Sequence, residues 1–255
     1  MPAFPQIIAH RGASHDAPEN TLASIALGFA QKADAAEIDI HLTRDGEIVL
    51  LHDHDLKRTA GLDRKIGETD FAEVRALDAG AWKGGAFAGE RVPTLAEALA
   101  AIPASKGIVI ELKDGPAIVP GLRRALEAGG VPPERVFLIA FDHGTLRAAK
   151  AALPRATTLH LAGGSWENKT RTVADLDALI AQARAEGFDG LNLGNDWPID
   201  EAFVKRVHDA GLKFYVWTVN DAERARHLAA SGVDGITTDR PGWIREALPE
   251  EAAAK

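Results

Sequence analysis

The 255 residues predict an α/β chain closed into a (β/α)8 TIM barrel with a small insertion after the second barrel strand. Two observations carry that reading. Apolar runs of strand length begin near 5, 36, 107, 135, 156, 188, 212 and 233, and most are separated by stretches whose apolar positions repeat at helical spacing. Eight such units in one chain of this length close on themselves, whereas a doubly wound open sheet more often holds about five to seven strands. A hydrophobic content of 46% is enough to fill the core this requires.

The elements follow in order. Phe4 to Ala9 is short, apolar and bounded by proline, and reads as a first buried strand ending at His10-Arg11-Gly12. Pro18-Glu19-Asn20-Thr21 leads into a helix over 22–32, with Asn20 or Thr21 as its cap. The stretch 36–55, AEIDIHLTRDGEIVLLHDHD, reads as a strand over 36–42, a tight turn at Arg44-Asp45-Gly46, and a return arm over 47–51 that ends on His52. That arm stands outside the count of eight, as part of an insertion between the second barrel strand and its helix. Residues 53–91 are expected to be irregular, with glycine-containing turns at Trp82-Lys83-Gly84-Gly85 and Phe87-Ala88-Gly89. So long a connection usually has a purpose, and Trp82 and Phe87 form either a small local core or a lid. Pro93-Thr94 starts a helix to about Leu99, and KGIVIELK over 106–113 is the third barrel strand. From there helices at 116–128, 143–152, 171–185, 199–210, 221–230 and 240–248 alternate with strands at 135–140, 156–161, 188–193, 212–219 and 233–238. Glycines at the entries to the later strands read as helix C-caps, and the EAAAK ending as a frayed helical tail.

Composition narrows the function. A net charge of -8, from 37 acidic and 29 basic residues, offers no general attraction to nucleic acid or anionic lipid. A phosphate-bearing ligand would need local cations or a metal. The absence of cysteine excludes disulfides, thiolate chemistry and cysteine-ligated zinc. No apolar run approaches the roughly 20 residues of a membrane span, and MPAFPQIIAH has no basic segment before an apolar one, so no integral membrane association and a cytoplasmic location are expected. Homo-oligomerisation is left open.

The acidic strand is the unusual feature. Side chains two apart on a strand share a side, so Glu37 and Asp39 face one way and Ile38 and Ile40 the other. Burying two unpartnered acids costs several kcal/mol by order of magnitude or keeps one protonated, and a divalent cation removes that penalty. In a TIM barrel the chemistry sits at the C-terminal ends of the strands. There His10 and Arg11 end the first strand, Glu111 and Lys113 the third, Asn192 the sixth, and Trp217 the seventh, with His52 closing the return arm. Glu37, Asp39 and Glu111 then make an all-oxygen pocket suited to Mg2+ or Ca2+ rather than Zn2+. Arg11 and Lys113 beside it would hold a phosphate, and His10 and His52 would serve as acid and base. The competing reading pairs the acids with Lys113 and Arg11 in a non-catalytic barrel, but three acids exceed two cations. His41, on the Asp39 side of its strand, either stands behind the ligands or serves packing alone. Asn20 is expected to brace the loop after His10, and Asn192 to reach toward the pocket.

These residues carry a resemblance. The chain resembles the glycerophosphodiester phosphodiesterase family in its bacterial soluble form, at His10-Arg11-Gly12, Pro18-Glu19-Asn20-Thr21, Glu37-Ile38-Asp39-Ile40, H-D-x-x-L-x-R-T from His52 to Thr59, Glu111-Leu112-Lys113, Trp217-Thr218-Val219-Asn220 and Thr238-Asp239-Arg240-Pro241. Order and spacing together make the match specific. The resemblance implies one divalent cation on Glu37, Asp39 and Glu111, His10 and His52 as the acid/base pair, Arg11 and Lys113 on the phosphate, and Trp217 on the alcohol side. It implies a small inserted subdomain at about 47–92, and hydrolysis of small glycerophosphodiesters such as glycerophosphocholine and glycerophosphoethanolamine to sn-glycerol 3-phosphate and an alcohol, with attack by the glycerol 2-hydroxyl to give a cyclic phosphate as the course usually described for the family. His10 is taken as base and His52 as acid, an order the residues themselves leave open. Two departures, R-T-A-G after His52 and Ala140 before Phe141, are expected to bear on the size and polarity of the alcohol pocket. A lysophospholipid substrate is the runner-up; it would need an apolar surface for which the insertion offers Phe71, Trp82 and Phe87. A non-catalytic barrel that binds phosphate esters ranks last.

Overall fold

The computed structural model describes residues 4–163 and 173–248; the expected tail at 251–255 and the first residues of the helix expected from 171 lie outside them. In chain order the strands are β1 (Gln6–Ala9), β2 (Ala35–Leu42), β3 (Ile48–Leu50), β4 (Asp55–Leu56), β5 (Leu62–Lys65), β6 (Gly107–Leu112), β7 (Val136–Ala140), β8 (Thr157–Ala162), β9 (Gly190–Gly194), β10 (Lys213–Trp217) and β11 (Gly235–Thr238). The helices are α1 (Leu22–Ala30), α2 (Lys57–Ala60), α3 (Phe71–Ala76), α4 (Leu95–Ala101), α5 (Val119–Gly129), α6 (His143–Ala152), α7 (Val173–Glu186), α8 (Glu201–Asp209), α9 (Ala222–Ser231) and α10 (Pro241–Ala247). Several start where the sequence supplies a cap. Thr21 with Ser24, and Thr94 with Glu97, close reciprocal capping boxes, so Thr21 rather than Asn20 caps α1.

Strands β1, β2 and β6 to β11 form a closed parallel barrel, in the order β1-β11-β10-β9-β8-β7-β6-β2 and back to β1. Closure is uneven. β1 pairs with β2 only at Ile8↔Ala35 and Ala9↔Ala36, because it ends there. The upper half of β2 would be left as an open edge, and β3 covers it antiparallel at Ile40↔Leu50, His41↔Val49 and Leu42↔Ile48.

Alternation along each strand sorts the residues into two cores. Ile8, Val109, Phe137, Leu159 and Tyr215 fill the barrel, while Ile38, Ile40, Ile108, Ile110 and Leu191 meet the helices outside. Gly235 is part of the inner packing, since a Cβ there would lie 2.3 Å from the Tyr215 ring. The odd positions of β2 face inward, and that is why Glu37, Asp39 and His41 lie on the barrel side.

The segment expected to be irregular is more ordered than its sequence suggested. Asp53 to Arg91 contains the β4–β5 hairpin, α2, α3 and two 3-10 turns. Val49, Leu51, Leu56, Ile66, Val74 and Val92 give it a core of its own. Its apolar residues are too sparse and too widely spaced to register as periodicity, and they meet only after the chain has folded back.

Candidate active site at the barrel mouth

The turn after β1 is built under local strain. Arg11 adopts the left-handed conformation at φ 53° and Gly12 follows at φ 79°. A Cβ on Gly12 would lie 2.4 Å from the backbone of Ser24, so α1 can sit this close only over glycine. Ser24 Oγ and Asn20 N both donate to the Arg11 carbonyl, at 2.8 and 3.0 Å, and Arg11 N donates to Glu37 Oε2 at 2.9 Å. The turn is thereby fixed to β2, with His10 and Arg11 aimed over the mouth.

Glu37, Asp39 and Glu111 are 2%, 0% and 9% exposed, and one oxygen from each lies within 4.8 Å of the others. The register places Asp39 beside Glu111. Arg11 Nε is 3.2 Å from Asp39 Oδ2, and Lys113 Nζ is 2.8 Å from Glu111 Oε1 and 3.3 Å from Asp39 Oδ1. These contacts do not neutralise the group. Burial pushes Glu37 well above its ordinary value, and the charges of Asp39 and Glu111 push the same way. Burial, then Asp39, raises Glu111 to about 7. Asp39 shifts the other way: burial opposes it, but Lys113, Arg11, His52 and the Asn20 bond outweigh burial and hold it below the usual carboxylate range. Its Oδ1 is buried without a hydrogen bond. Three crowded acids, one with an oxygen held only by its ion pair with Lys113 and two reluctant to ionise, fit a hard divalent cation.

Each histidine has a carboxylate behind it. His10 Nδ1 lies 2.6 Å from Asp239 Oδ1, and Asp239 also accepts from Ser14 and Asn220. His52 Nδ1 lies 2.7 Å from Asp53 Oδ1. An ionised carboxylate against Nδ1 puts the proton on that nitrogen and leaves Nε2 as the working atom. Burial, partly opposed by Asp39, lowers His52 from its ordinary value. A chain of ion pairs ties the two loops together. Arg58 bridges Asp53 and Glu19, with Nε to Asp53 Oδ2 at 2.7 Å and Nη1 to Glu19 Oε2 at 2.7 Å, and Glu19 accepts from Arg11 Nη1 at 2.9 Å. The spacing from His52 to Arg58 has a physical reason: α2 turns Arg58 back onto Asp53, while Leu56 between them is buried in the core of the insertion.

The cavity above holds about 380 Å³. His10, Arg11, Glu37, His52, Glu111 and Lys113 line one side, and Ile139, Phe141, Leu161, Asn192, Trp217 and Thr237 the other. Phe141 and Trp217 meet edge to face, with ring centroids 5.8 Å apart.

The chain matches the model of the glycerophosphoryl diester phosphodiesterase family over residues 10–243. It belongs to that family. A glycerophosphodiester phosphodiesterase of Caldanaerobacter subterraneus subsp. tengcongensis is 34% identical over 239 residues, covering 92% of this chain and 94% of the relative. One from Bacillus subtilis is 29% identical over 253 residues, covering 92% and 83%. Among solved structures, an Oleispira antarctica phosphodiesterase in complex with its product sn-glycerol-3-phosphate superposes with a TM-score of 0.85 at 32% identity, covering 96% of each chain.

Within this member of the glycerophosphoryl diester phosphodiesterase family, the residues expected at the mouth are brought together. His41, expected either behind the ligands or in packing, stands outside the cavity and turns toward Asp114 and the backbone of His52. Asn20 does more than brace its loop, since its Nδ2 donates to Asp39 Oδ2 at 2.8 Å and its Oδ1 accepts from Asp39 N at 3.1 Å. Asn192 lines the cavity with a buried Oδ1 that lacks a hydrogen bond. Trp82 and Phe87 lie away from the described lining; the Trp82 indole donates to Ala79 O within the insertion. Both departures from the family pattern also miss the cavity. Ala140 packs outward against the helices and Ala60 against the core of the insertion. Sequence reasoning assigned no role to Glu19, Asp53, Arg58, Phe141 or Asp239. The carboxylate directly after His52 was the signal for Asp53; nothing local links Asp239 to His10, 229 residues away.

Proposed function

We propose that the protein hydrolyses small glycerophosphodiesters to sn-glycerol 3-phosphate and an alcohol, with one divalent cation, Mg2+ or Ca2+, held by Glu37, Asp39 and Glu111. The observation that carries this is the three-carboxylate cluster at the foot of a cavity flanked by Arg11, Lys113 and two histidines whose Nε2 atoms are free of the carboxylates behind them. With every acid ionised, the carboxylates exceed Arg11 and Lys113 by one charge; a divalent ion reverses the balance to one positive charge, matched to a phosphodiester monoanion. Such an ion supplies Lewis-acid polarisation of a phosphoryl oxygen.

The remaining work falls to the chain. Arg11 and Lys113 orient the phosphate. Phe141 and Trp217 offer ring faces and edges to the alcohol, a surface suited to a choline or ethanolamine cation. Asn192 Oδ1 is available to a glycerol hydroxyl. The acid/base order favoured here is the reverse of the one taken from sequence. Burial favours neutral His52, whose Nε2 takes the proton of the attacking hydroxyl, whether from water or from the glycerol itself. Asp53 shares its charge with Arg58, whereas Asp239 pairs with no Lys or Arg among the described residues, so His10 is the ring best placed to carry a positive charge and protonate the departing alcohol. Residues 47–92 are read as a subdomain that positions His52 through Arg58, supported by its separate core. The lysophospholipid reading is the weaker one, because Phe71, Trp82 and Phe87 are absent from the lining.

The test is release of glycerol 3-phosphate from glycerophosphocholine with Mg2+ or Ca2+ supplied and then chelated. Turnover should stop on chelation and return on adding the ion back. Metal-independent turnover, or faster turnover of lysophosphatidylcholine, would overturn the proposal.

A further inference from the structure

A second group of ligand-type side chains lies beside the mouth but outside the cavity. His41, fully buried on β2, meets Asp114, which follows β6, and His54, exposed in the turn after His52. One donor atom from each lies within 4.8 Å of the other two. His41 Nδ1 is 2.9 Å from Asp114 Oδ1, and the His41 and His54 rings meet nearly edge-on with centroids 4.9 Å apart. Asp114 is held in place by Leu42 N, which donates to its Oδ2 at 2.6 Å. Among the described residues no hydrogen bond from the protein engages the His54 ring.

We propose that His41, His54 and Asp114 form a second cation site, selective for Zn2+-type ions, that pins the loop carrying His52. Two imidazoles and one carboxylate are a nitrogen-rich donor set, which suits Zn2+, Co2+ or Ni2+ and not Mg2+ or Ca2+. A tetrahedral site with metal–ligand bonds of about 2.0–2.2 Å puts adjacent donors roughly 3.3–3.6 Å apart, so His41 and Asp114, now 2.9 Å apart, would open by about half an ångström to take the ion. With only three protein ligands, a fourth position stays open to water. The ion would join the end of β2, the turn after β3 and the loop after β6 at one point. His41 Nε2 lies 3.4 Å from the carbonyl oxygen of His52, so fixing this ring also fixes the backbone of a residue at the mouth. The proposal is independent of the phosphodiesterase reading, because the carboxylate cluster shares no ligand with it.

The test titrates Zn2+ and Co2+ into the full chain under saturating Mg2+, by calorimetry and by the visible absorption of bound Co2+, in the parent, in Glu111→Gln and in His54→Ala. His54 is exposed, so its removal leaves the core intact. Parent and Glu111→Gln should each retain one Co2+ or Zn2+ per chain that Mg2+ does not displace, with a Co2+ spectrum showing nitrogen ligation. His54→Ala should bind that ion more weakly by on the order of tenfold or more and lose the spectrum, while its Mg2+ binding is unchanged. Two results would overturn the site: no ion retained against Mg2+ in any form, which leaves His41–Asp114 as a plain hydrogen bond, or uptake that survives in His54→Ala and disappears in Glu111→Gln.

Discussion

Asp239→Asn is the sharpest probe of the acid/base arrangement. The Asp239 carboxylate touches no phosphate-binding group; it accepts from His10, Ser14 and Asn220. An amide is nearly isosteric, so the side chain keeps its place and loses its charge. The bond to His10 is 2.6 Å long and charge-assisted. Bonds of that class contribute about 1.5–3 kcal/mol, which converts to a rate loss of roughly 10- to 150-fold if the charge on His10 develops as the alcohol departs. The loss should fall on kcat and leave KM nearly unchanged, because the interaction is made in the transition state. The matching change Asp53→Asn should cost less at His52, since Asp53 is already engaged by Arg58. Steady-state release of choline from glycerophosphocholine measures both. If Asp239→Asn keeps kcat within about threefold of the parent, His10 is not the general acid.

Three further outcomes follow from the packing. Asn20→Ala removes both bonds that hold the Asp39 carboxylate and backbone, and should weaken divalent binding by about 10- to 100-fold in calorimetry; unaltered affinity would show that Asp39 needs no support. Gly235→Ala drives a methyl to within 2.3 Å of the Tyr215 ring and should cost about 1–3 kcal/mol in urea denaturation, with a neutral result placing slack in the barrel interior. His160, buried on β8 with an unbonded Nδ1 and lowered to about 4 by burial and then by His143, binds fewer protons folded than unfolded between about pH 4 and 6.5. Its contribution is complete above that window and is lost as the pH falls through it. His160→Leu should therefore flatten stability against pH there by up to about 1.4 kcal/mol per pH unit, and an unchanged slope would remove His160 from the account.

The barrel and the acidic cluster were legible because both are written in local patterns. A period of two along β2 places Glu37, Asp39 and His41 on one side whatever they meet there, and eight strand-length runs demand closure. Capping boxes, glycine turns and the first carboxylate behind a histidine are likewise features of neighbouring residues. Tertiary structure decided whatever depends on distance between segments: that Asp239 backs His10, that Asn20 grips Asp39, that Arg58 and Glu19 join the His52 loop to Arg11, and that His41 turns aside toward Asp114. The short apolar residues of the insertion gave no periodic signal, yet they close a core once α3 folds back over β3 and β4. The physical reason is common to these cases. Strand and helix periodicity follows from backbone geometry within a few residues, whereas hydrogen bonds between loops follow from where closing the barrel places their ends.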